Sequence, residues 1–295
     1  MWLHKRLLLL PALAVFAVPI AAFATSPSSS SSSDRAEIVA AESVWGKLAA
    51  ELAGNRTRVA SIVSSPAADP HEYEPTAADA RAFAGAKIVI VNGLGYDPWA
   101  RRLLEANPEP GRIVIDVGRL LGLHTGDNPH RWYSPSDVVR VLDSLERAYA
   151  RHGIDVVPIV SRLERYRRII GEIGSHYRGV RVGASESIFA PLAQALGLDL
   201  VTPPGFLRAL SEGIEPTAAD RQLAADQIAR REIAVWVVNT QNETSDVQRL
   251  TSVARARGIP VVGISELPPP AASFEGWQSA QLDSLQAALA AGTSR

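Results

Sequence analysis

Short apolar runs alternate with helical patterns along most of the chain. Apolar runs bounded by turn residues, such as 87–91, 113–117 and 233–238, predict buried strands. Segments with apolar residues at helical spacing, such as 136–151, predict amphipathic helices. Thr76 and Asp79 form an approximate capping box at the start of another predicted helix. Strands separated by helices are typical of βαβ units on a parallel sheet, so the pattern predicts an α/β protein.

The alternating pattern occurs twice, on either side of one long helical segment. We expect an N-terminal α/β lobe at 35–155, a linking helix at 156–178 and a C-terminal α/β lobe at 179–295. A helix of twenty residues reaches about 30 Å, which is long enough to join two lobes as a strut. The predicted fold therefore has two lobes, each with a mostly parallel sheet flanked by helices, joined by one long rigid helix.

The N-terminus has the pattern of an export signal. A positively charged start precedes an apolar core at 7–20 and the small-x-small sequence Ala22-Phe23-Ala24. We predict a signal peptide at 1–24 that is cleaved, followed by a disordered Ser-rich segment at 25–34. The alternative is an uncleaved anchor helix, although the apolar stretch is short and contains two prolines. The mature protein is expected to be periplasmic or otherwise extracytoplasmic.

Charge and cysteine content exclude several classes of partner and chemistry. The 295 residues carry 30 basic and 31 acidic side chains, so nothing predicts nucleic acid or an anionic membrane surface as a partner. Cysteine is absent, which excludes disulfides, thiolate metal ligands and a cysteine nucleophile. For the same reason we expect no lipid anchor on an N-terminal cysteine.

Two histidines occur in closely similar settings. His71 follows Asp69-Pro70 and His130 follows Asn128-Pro129, and the chain has only six histidines in all. Proline fixes φ and restricts the residue before it, so each imidazole is held on a stiff loop. Neutral imidazoles held in this way are typical ligands of a divalent transition metal. The alternative is a pair of ordinary loop histidines that are exposed or bonded locally.

Oxygen ligands are expected from the second half, because no histidine occurs from Gly179 onward. Glu186 follows one predicted strand and Glu266 follows another, and ligands gather at the carboxyl ends of parallel strands. Each acid also has a simpler interpretation. Glu186 could stabilise a helix dipole, and Glu266 could be a surface acid in a proline-rich loop.

Several motifs together resemble the metal-specific solute-binding proteins of bacterial ABC importers, which capture zinc or manganese outside the cytoplasmic membrane. The resemblance covers about 36–290. Asn128 stands where aspartate is usual, and the histidine-rich loop of many zinc members is missing. The matching segments are Asp-Pro-His-Glu-Tyr-Glu-Pro at 69–75, Asn-Gly-Leu-Gly-Tyr at 92–96, Asn-Pro-His-Arg-Trp at 128–132 and Glu-Pro-Thr at 215–217.

The resemblance implies a ligand set and a partner. It implies one divalent metal ion between the lobes, held by His71 and His130 from the first lobe and by Glu186 at the third position. The fourth ligand is usually aspartate, and Glu266 is the nearest acid here, with Ser265 and Glu275 nearby. It further implies a monomeric binding protein, not an enzyme, that delivers its ion to an ABC permease in the cytoplasmic membrane.

The metal and two other functions remain open. Glutamate at the third position is similar to manganese-type members, and oxygen-rich ligation favours Mn²⁺, whereas intrinsic affinity favours Zn²⁺. An extracytoplasmic metallohydrolase would need an open coordination position and a general base, for which Glu72 is the candidate. A metal-independent binding protein or adhesin on the same fold is the other alternative.

Overall fold

The computed structural model describes residues 37–65, 73–157 and 163–294. The predicted signal peptide at 1–24, the Ser-rich segment at 25–34 and His71 lie outside these ranges. Within them the chain forms two sheets, each of four parallel strands, with helices packed around both. The predicted α/β class with two lobes is therefore confirmed.

The N-terminal lobe contains, within the described ranges, four strands and five α-helices. In chain order these are β1 (Ile38–Glu42), α1 (Ser43–Ala53), β2 (Val59–Val63), α2 (Ala77–Gly85), β3 (Ile88–Val91), α3 (Pro98–Ala106), β4 (Ile113–Asp116), α4 (Val117–Leu121) and α5 (Pro135–Arg151). The strands lie in the order β2-β1-β3-β4. The central strands β1 and β3 are buried along their whole length, in keeping with the apolar sequence of β3 and of β1 as far as Ala41.

The C-terminal lobe repeats this arrangement. After α6 (Glu164–His176) come β5 (Arg181–Ala184), α7 (Ala190–Leu196), β6 (Asp199–Leu200), α8 (Pro204–Ser211), α9 (Ala218–Ala229), β7 (Trp236–Asn239), α10 (Ser245–Ala256), β8 (Val261–Ile264) and α11 (Phe274–Thr293). The strand order β6-β5-β7-β8 matches that of the first sheet. In the first sheet, successive strands are added outward in opposite directions from the boundary between β1 and β3, and in the second sheet from the boundary between β5 and β7. Ligand sites form outside the carboxyl ends of the strands at such a point.

Local sequence signals account for several element boundaries. The predicted capping box of α2 is present, with the Thr76 side chain accepting from the Asp79 N–H and the Asp79 side chain accepting from the Thr76 N–H. Helices α3 and α5 both begin with proline, whose fixed φ suits the first turn. Helix α9 is capped by Thr217, whose side chain accepts from the Asp220 N–H. Among the described helices, none is long and apolar enough to cross a membrane.

The linking helix is shorter than its sequence pattern predicts. Residues 154–157 have no regular structure, residues 158–162 lie outside the described ranges, and α6 covers only 164–176. Position 158 is a proline, which disfavours helical geometry at Val157. The Val157 N–H donates to the carbonyl of Leu52 instead of entering a helix. The described strut therefore has 13 residues, which span about 20 Å.

The C-terminal helix α11 ties the two lobes together. It is 20 residues long and begins at Phe274, after the N-cap Ser273. It packs against α1 of the first lobe and against α6 and β8. Its buried apolar residues belong to one hydrophobic cluster that also contains Trp45 of the first lobe and Val182 of the second. The lobes therefore share a core.

We expect Leu282→Ala to destabilise the protein by about 2–5 kcal/mol, because it leaves a cavity in the shared core. Leu282 is 0% exposed in the middle of α11. The free energy of unfolding can be measured by urea titration. The matched control is Leu223→Ala on α9, where the side chain is 51% exposed and the change should stay within about 0.5 kcal/mol. Equal losses in both variants would contradict a shared core under α11.

Candidate metal centre

Three buried side chains from separate loops converge between the lobes. His130, Glu186 and Glu266 each offer one ligand atom, and these three atoms all lie within 4.8 Å of one another. None of the three residues is more than 5% exposed. The imidazole comes from the N-terminal lobe and both carboxylates from the C-terminal lobe, so the cluster forms only when the lobes are packed together.

The side chain of Asn128 fixes the orientation of His130. Asn128 Oδ1 lies 3.0 Å from the His130 backbone nitrogen and 2.9 Å from its ring Nδ1. Asn128 Nδ2 donates to the carbonyl of Ser187 at 2.7 Å, which assigns Oδ1 as the acceptor. Ring Nδ1 therefore carries the proton, and Nε2 is the nitrogen whose lone pair can bind a cation.

Aromatic rings and a buried asparagine hold the His130 loop. Tyr96 and Trp132 lie edge-on to the imidazole, with ring centroids 6.1 and 5.3 Å away. Asn92, directly after β3, donates from Nδ2 to the carbonyl of Pro129 at 3.1 Å. The imidazole is thus buried and positioned from several sides, which reduces the entropy lost when it binds a ligand.

Glu186 lies between β5 and a 3₁₀ turn, Ser187–Phe189. Its side chain does not cap that turn. Its Oε1 accepts from Asn239 Nδ2 at 2.8 Å, and its Oε2 accepts from Asn242 Nδ2 at 2.7 Å. Both oxygens are therefore held by the end of β7 and the loop that follows it.

Glu266 lies in the loop after β8 and is only 5% exposed, so its interpretation as a surface acid is wrong. Its Oε1 accepts from Asn239 Nδ2 at 3.0 Å. Its Oε2 accepts from the Tyr96 hydroxyl at 2.5 Å, which is a bond between the two lobes. The strands β5, β7 and β8 thus deliver Glu186, Asn239 and Glu266 to one edge of the sheet.

The electrostatics of the cluster favour a cation. Two carboxylates lie close together where little water reaches them, and the hydrogen bonds from Asn239, Asn242 and Tyr96 come from neutral groups. Such bonds orient the carboxylates without cancelling their charge. A dication placed among two carboxylates and a neutral imidazole would balance that charge.

Sequence reasoning identified the three converging residues but not the groups that hold them. His71 lies outside the described residues, and the neighbouring candidate Glu275 is not part of the cluster. Ser265 Oγ accepts from Trp277 Nε1 and donates to the carbonyl of Leu267. The side chain of Glu275 accepts a hydrogen bond from the Arg165 N–H instead. Asn239 was missed, although a polar residue at the end of a buried strand is the available signal. Tyr96 was missed because its partner is 170 positions away.

A second pair of buried acids, Glu42 and Asp97, lies in the N-terminal lobe. Burial raises the pKa of Glu42 well above its ordinary value of 4.5, and the neighbouring Asp97 raises it further. Burial also raises the pKa of Asp97 to about 6, although the backbone N–H groups of Asn92 and Gly93 bind its carboxylate and lower the pKa. Glu42 ends an apolar strand, which is the signal that sequence reasoning overlooked.

Comparison of the sequence with known families gives one match that covers most of the chain. The ZnuA family, described as zinc-uptake complex component A, periplasmic, matches residues 38–288. The manganese-binding lipoprotein MntA of Halalkalibacterium halodurans is 26% identical over 245 residues, which are 77% of this chain and 77% of that protein. The iron-binding protein YfeA of Yersinia pestis is 25% identical over 236 residues, 77% of this chain and 68% of that protein.

Solved structures share the fold. The periplasmic zinc-binding protein TroA of Treponema pallidum superposes with a TM-score of 0.67 over 86% of this chain and 99% of its own, at 17% identity. The protein FpvC of Pseudomonas aeruginosa, solved with Mn²⁺, gives a TM-score of 0.66 over 87% and 98%, at 20% identity. At such identities the likeness establishes the two-lobed fold alone.

We expect Glu42→Gln to stabilise the metal-free protein increasingly as the pH rises. The folded-state pKa of Glu42 is raised, so its contribution to stability is complete below the unfolded-state pKa and is lost as the pH rises toward the folded-state pKa. Glutamine keeps the shape without the ionisation. Urea midpoints at about pH 5 and pH 8 measure the difference between variant and wild type.

The matched control is Glu37→Gln at the surface. A hydrogen bond from Lys87 lowers the pKa of Glu37, so this acid contributes stability above its unfolded-state pKa. The control should therefore show the opposite sign, with a loss of stability of similar size at both pH values, because both lie above the ordinary pKa of 4.5. A Glu42→Gln difference that does not change with pH would contradict the buried, proton-holding state of Glu42.

Proposed function

We propose a metal-capture site in this chain, which belongs to the ZnuA family, described as zinc-uptake complex component A, periplasmic. Members of this family are metal-binding, substrate-binding proteins of ABC importers, which work outside the cytoplasm and pass their ion to a permease. In this chain, His130, Glu186 and Glu266 bind one divalent transition-metal ion between the lobes. The convergence of their ligand atoms within 4.8 Å is the observation that carries the proposal.

His71 is proposed to complete the ligand set together with His130, Glu186 and Glu266. It lies outside the described residues, but the segment that contains it begins after β2, at the carboxyl edge of the N-terminal sheet. Strand β2 pairs in parallel with β1, and Val63 at its end is opposite Glu42. Downstream of the gap, Tyr73 packs on Trp99 with ring centroids 5.0 Å apart. Both ends of the segment are therefore anchored to the lobe that provides His130.

The donor set suits manganese and zinc for different reasons. Two carboxylates with two imidazoles form an oxygen-rich set that Mn²⁺ accepts readily, whereas Zn²⁺ binds nitrogen donors strongly and follows later in the Irving–Williams order. The named relatives include a manganese-binding and an iron-binding protein. We propose Mn²⁺ or Zn²⁺ as the transported ion.

Two functions left open by the sequence are not favoured. Family members are binding proteins for transport, so a metallohydrolase has no support beyond the donor set, and Glu72 lies outside the described residues. A metal-independent binding protein does not account for two buried carboxylates beside an imidazole. We further propose that the protein acts as a monomer, with the permease as its partner and no reaction of its own.

We expect His130→Ala and His71→Ala each to abolish tight metal binding. Removal of a direct ligand should cost more than the roughly 10–100-fold that follows loss of an outer hydrogen-bond partner. The measurement is the metal content of the mature chain, after chelator stripping and reloading, together with the dissociation constants for Mn²⁺ and Zn²⁺.

The control is His124→Ala, because His124 is exposed and outside the cluster. This variant should bind one ion per chain with the affinity of the wild type. Unchanged affinity in both His130→Ala and His71→Ala would overturn the proposed site, and a wild-type chain without stoichiometric metal would overturn the proposed function.

A further inference from the structure

One buried amide group holds both carboxylates of the cluster. Asn239 Nδ2 donates to Glu186 Oε1 at 2.8 Å and to Glu266 Oε1 at 3.0 Å. An amide nitrogen has two hydrogens, so each carboxylate receives one. The separation of these two carboxylate oxygens is therefore set by a rigid, planar group instead of by two flexible glutamate side chains.

The orientation of Asn239 is itself fixed by its surroundings. The residue is 0% exposed at the end of β7, and its backbone N–H donates to Ser185 Oγ at 3.0 Å. Its side-chain Oδ1 accepts from the Gln241 N–H at 3.0 Å. With Oδ1 committed to a donor, Nδ2 necessarily faces the carboxylates, which accept hydrogen bonds when ionised.

A second asparagine completes the restraint on Glu186. Asn242 Nδ2 donates to Glu186 Oε2 at 2.7 Å and to the carbonyl of Leu210 at 3.0 Å. Leu210 belongs to α8, so this amide connects the carboxylate to a helix of the same lobe. Asn239 and Asn242 thus engage both oxygens of Glu186 and define the plane of its carboxylate.

We propose that Asn239 is a positioning residue that raises the affinity of the site for Mn²⁺ relative to Zn²⁺ by holding Glu186 and Glu266 in one fixed arrangement. This inference rests on the proposed function, in which both glutamates bind the ion. Carboxylate oxygens supply most of the affinity for Mn²⁺, whereas imidazoles supply a larger share of that for Zn²⁺. Loss of carboxylate pre-organisation therefore costs Mn²⁺ more than Zn²⁺.

The test uses Asn239→Ala and Asn239→Asp in the full mature chain. Alanine removes the amide. Aspartate keeps an oxygen that can accept from the Gln241 N–H, so the loop is retained, but it replaces the shared donor by an acceptor. The dissociation constants for Mn²⁺ and Zn²⁺ are measured by competition with a chelator. In both variants, Mn²⁺ affinity should fall by about 10–100-fold and Zn²⁺ affinity by less than about 10-fold.

The control variant is Thr240→Val in the same loop. Thr240 donates from Oγ1 to the carbonyl of Ile264 at 3.1 Å, and valine keeps its shape without that bond. This variant should keep the wild-type ratio of Mn²⁺ to Zn²⁺ affinity. Thermal unfolding of each metal-free variant checks that the fold is retained.

The outcomes separate the inference from the function. If wild type binds one ion per chain but the affinity ratio is unchanged in Asn239→Ala, or if Asn239→Asp behaves as wild type or binds Mn²⁺ more tightly, the inference is wrong and the metal site stands. If Thr240→Val shifts the ratio as strongly as Asn239→Ala, the loop and not the shared amide decides selectivity. If wild type binds no ion, both proposals fall.

Discussion

Two carboxylates buried at the same point are the constraint on which the rest of this structure depends. Removing a carboxylate from water costs several kcal/mol, and a second negative charge beside it adds repulsion. The surroundings of Glu186 and Glu266 provide Asn239, Asn242 and Tyr96 as neutral donors, which orient both side chains while leaving their charge in place. A dication is the ligand that such an arrangement stabilises most.

Both lobes contribute residues to the site, so the site depends on how the lobes pack against each other. His130 and Tyr96 approach from the N-terminal sheet, and the glutamates approach from the C-terminal sheet. The lobes are joined not only by α6 but also by α11, which is packed into a shared core. The Tyr133 hydroxyl adds a bond to the carbonyl of Ser265 at 2.8 Å. Wide opening would expose this core, so we expect the proposed ion to enter and leave through small movements of the loops.

The sequence predicted those helices and strands well whose signals lie within a few neighbouring residues. The capping box of Thr76 and Asp79 and the apolar run of β3 each involve residues that are close together in the sequence, so the sequence alone predicts them. The spacing of apolar residues predicts a linking helix that continues across Pro158, whereas residues 154–157 have no regular structure and α6 begins at Glu164.

By itself, the sequence determined the two-lobed α/β fold, the Pro-His setting of His130 and the pair of acids that follow strands, because proline geometry and the order of strands and helices are local properties. Only the tertiary structure decided that Glu266 is buried, that Tyr96 reaches it from the opposite lobe and that Asn239 holds both carboxylates. These contacts join residues 27 to 170 positions apart. Their geometry depends on how sheets and lobes pack, which no spacing along the chain encodes.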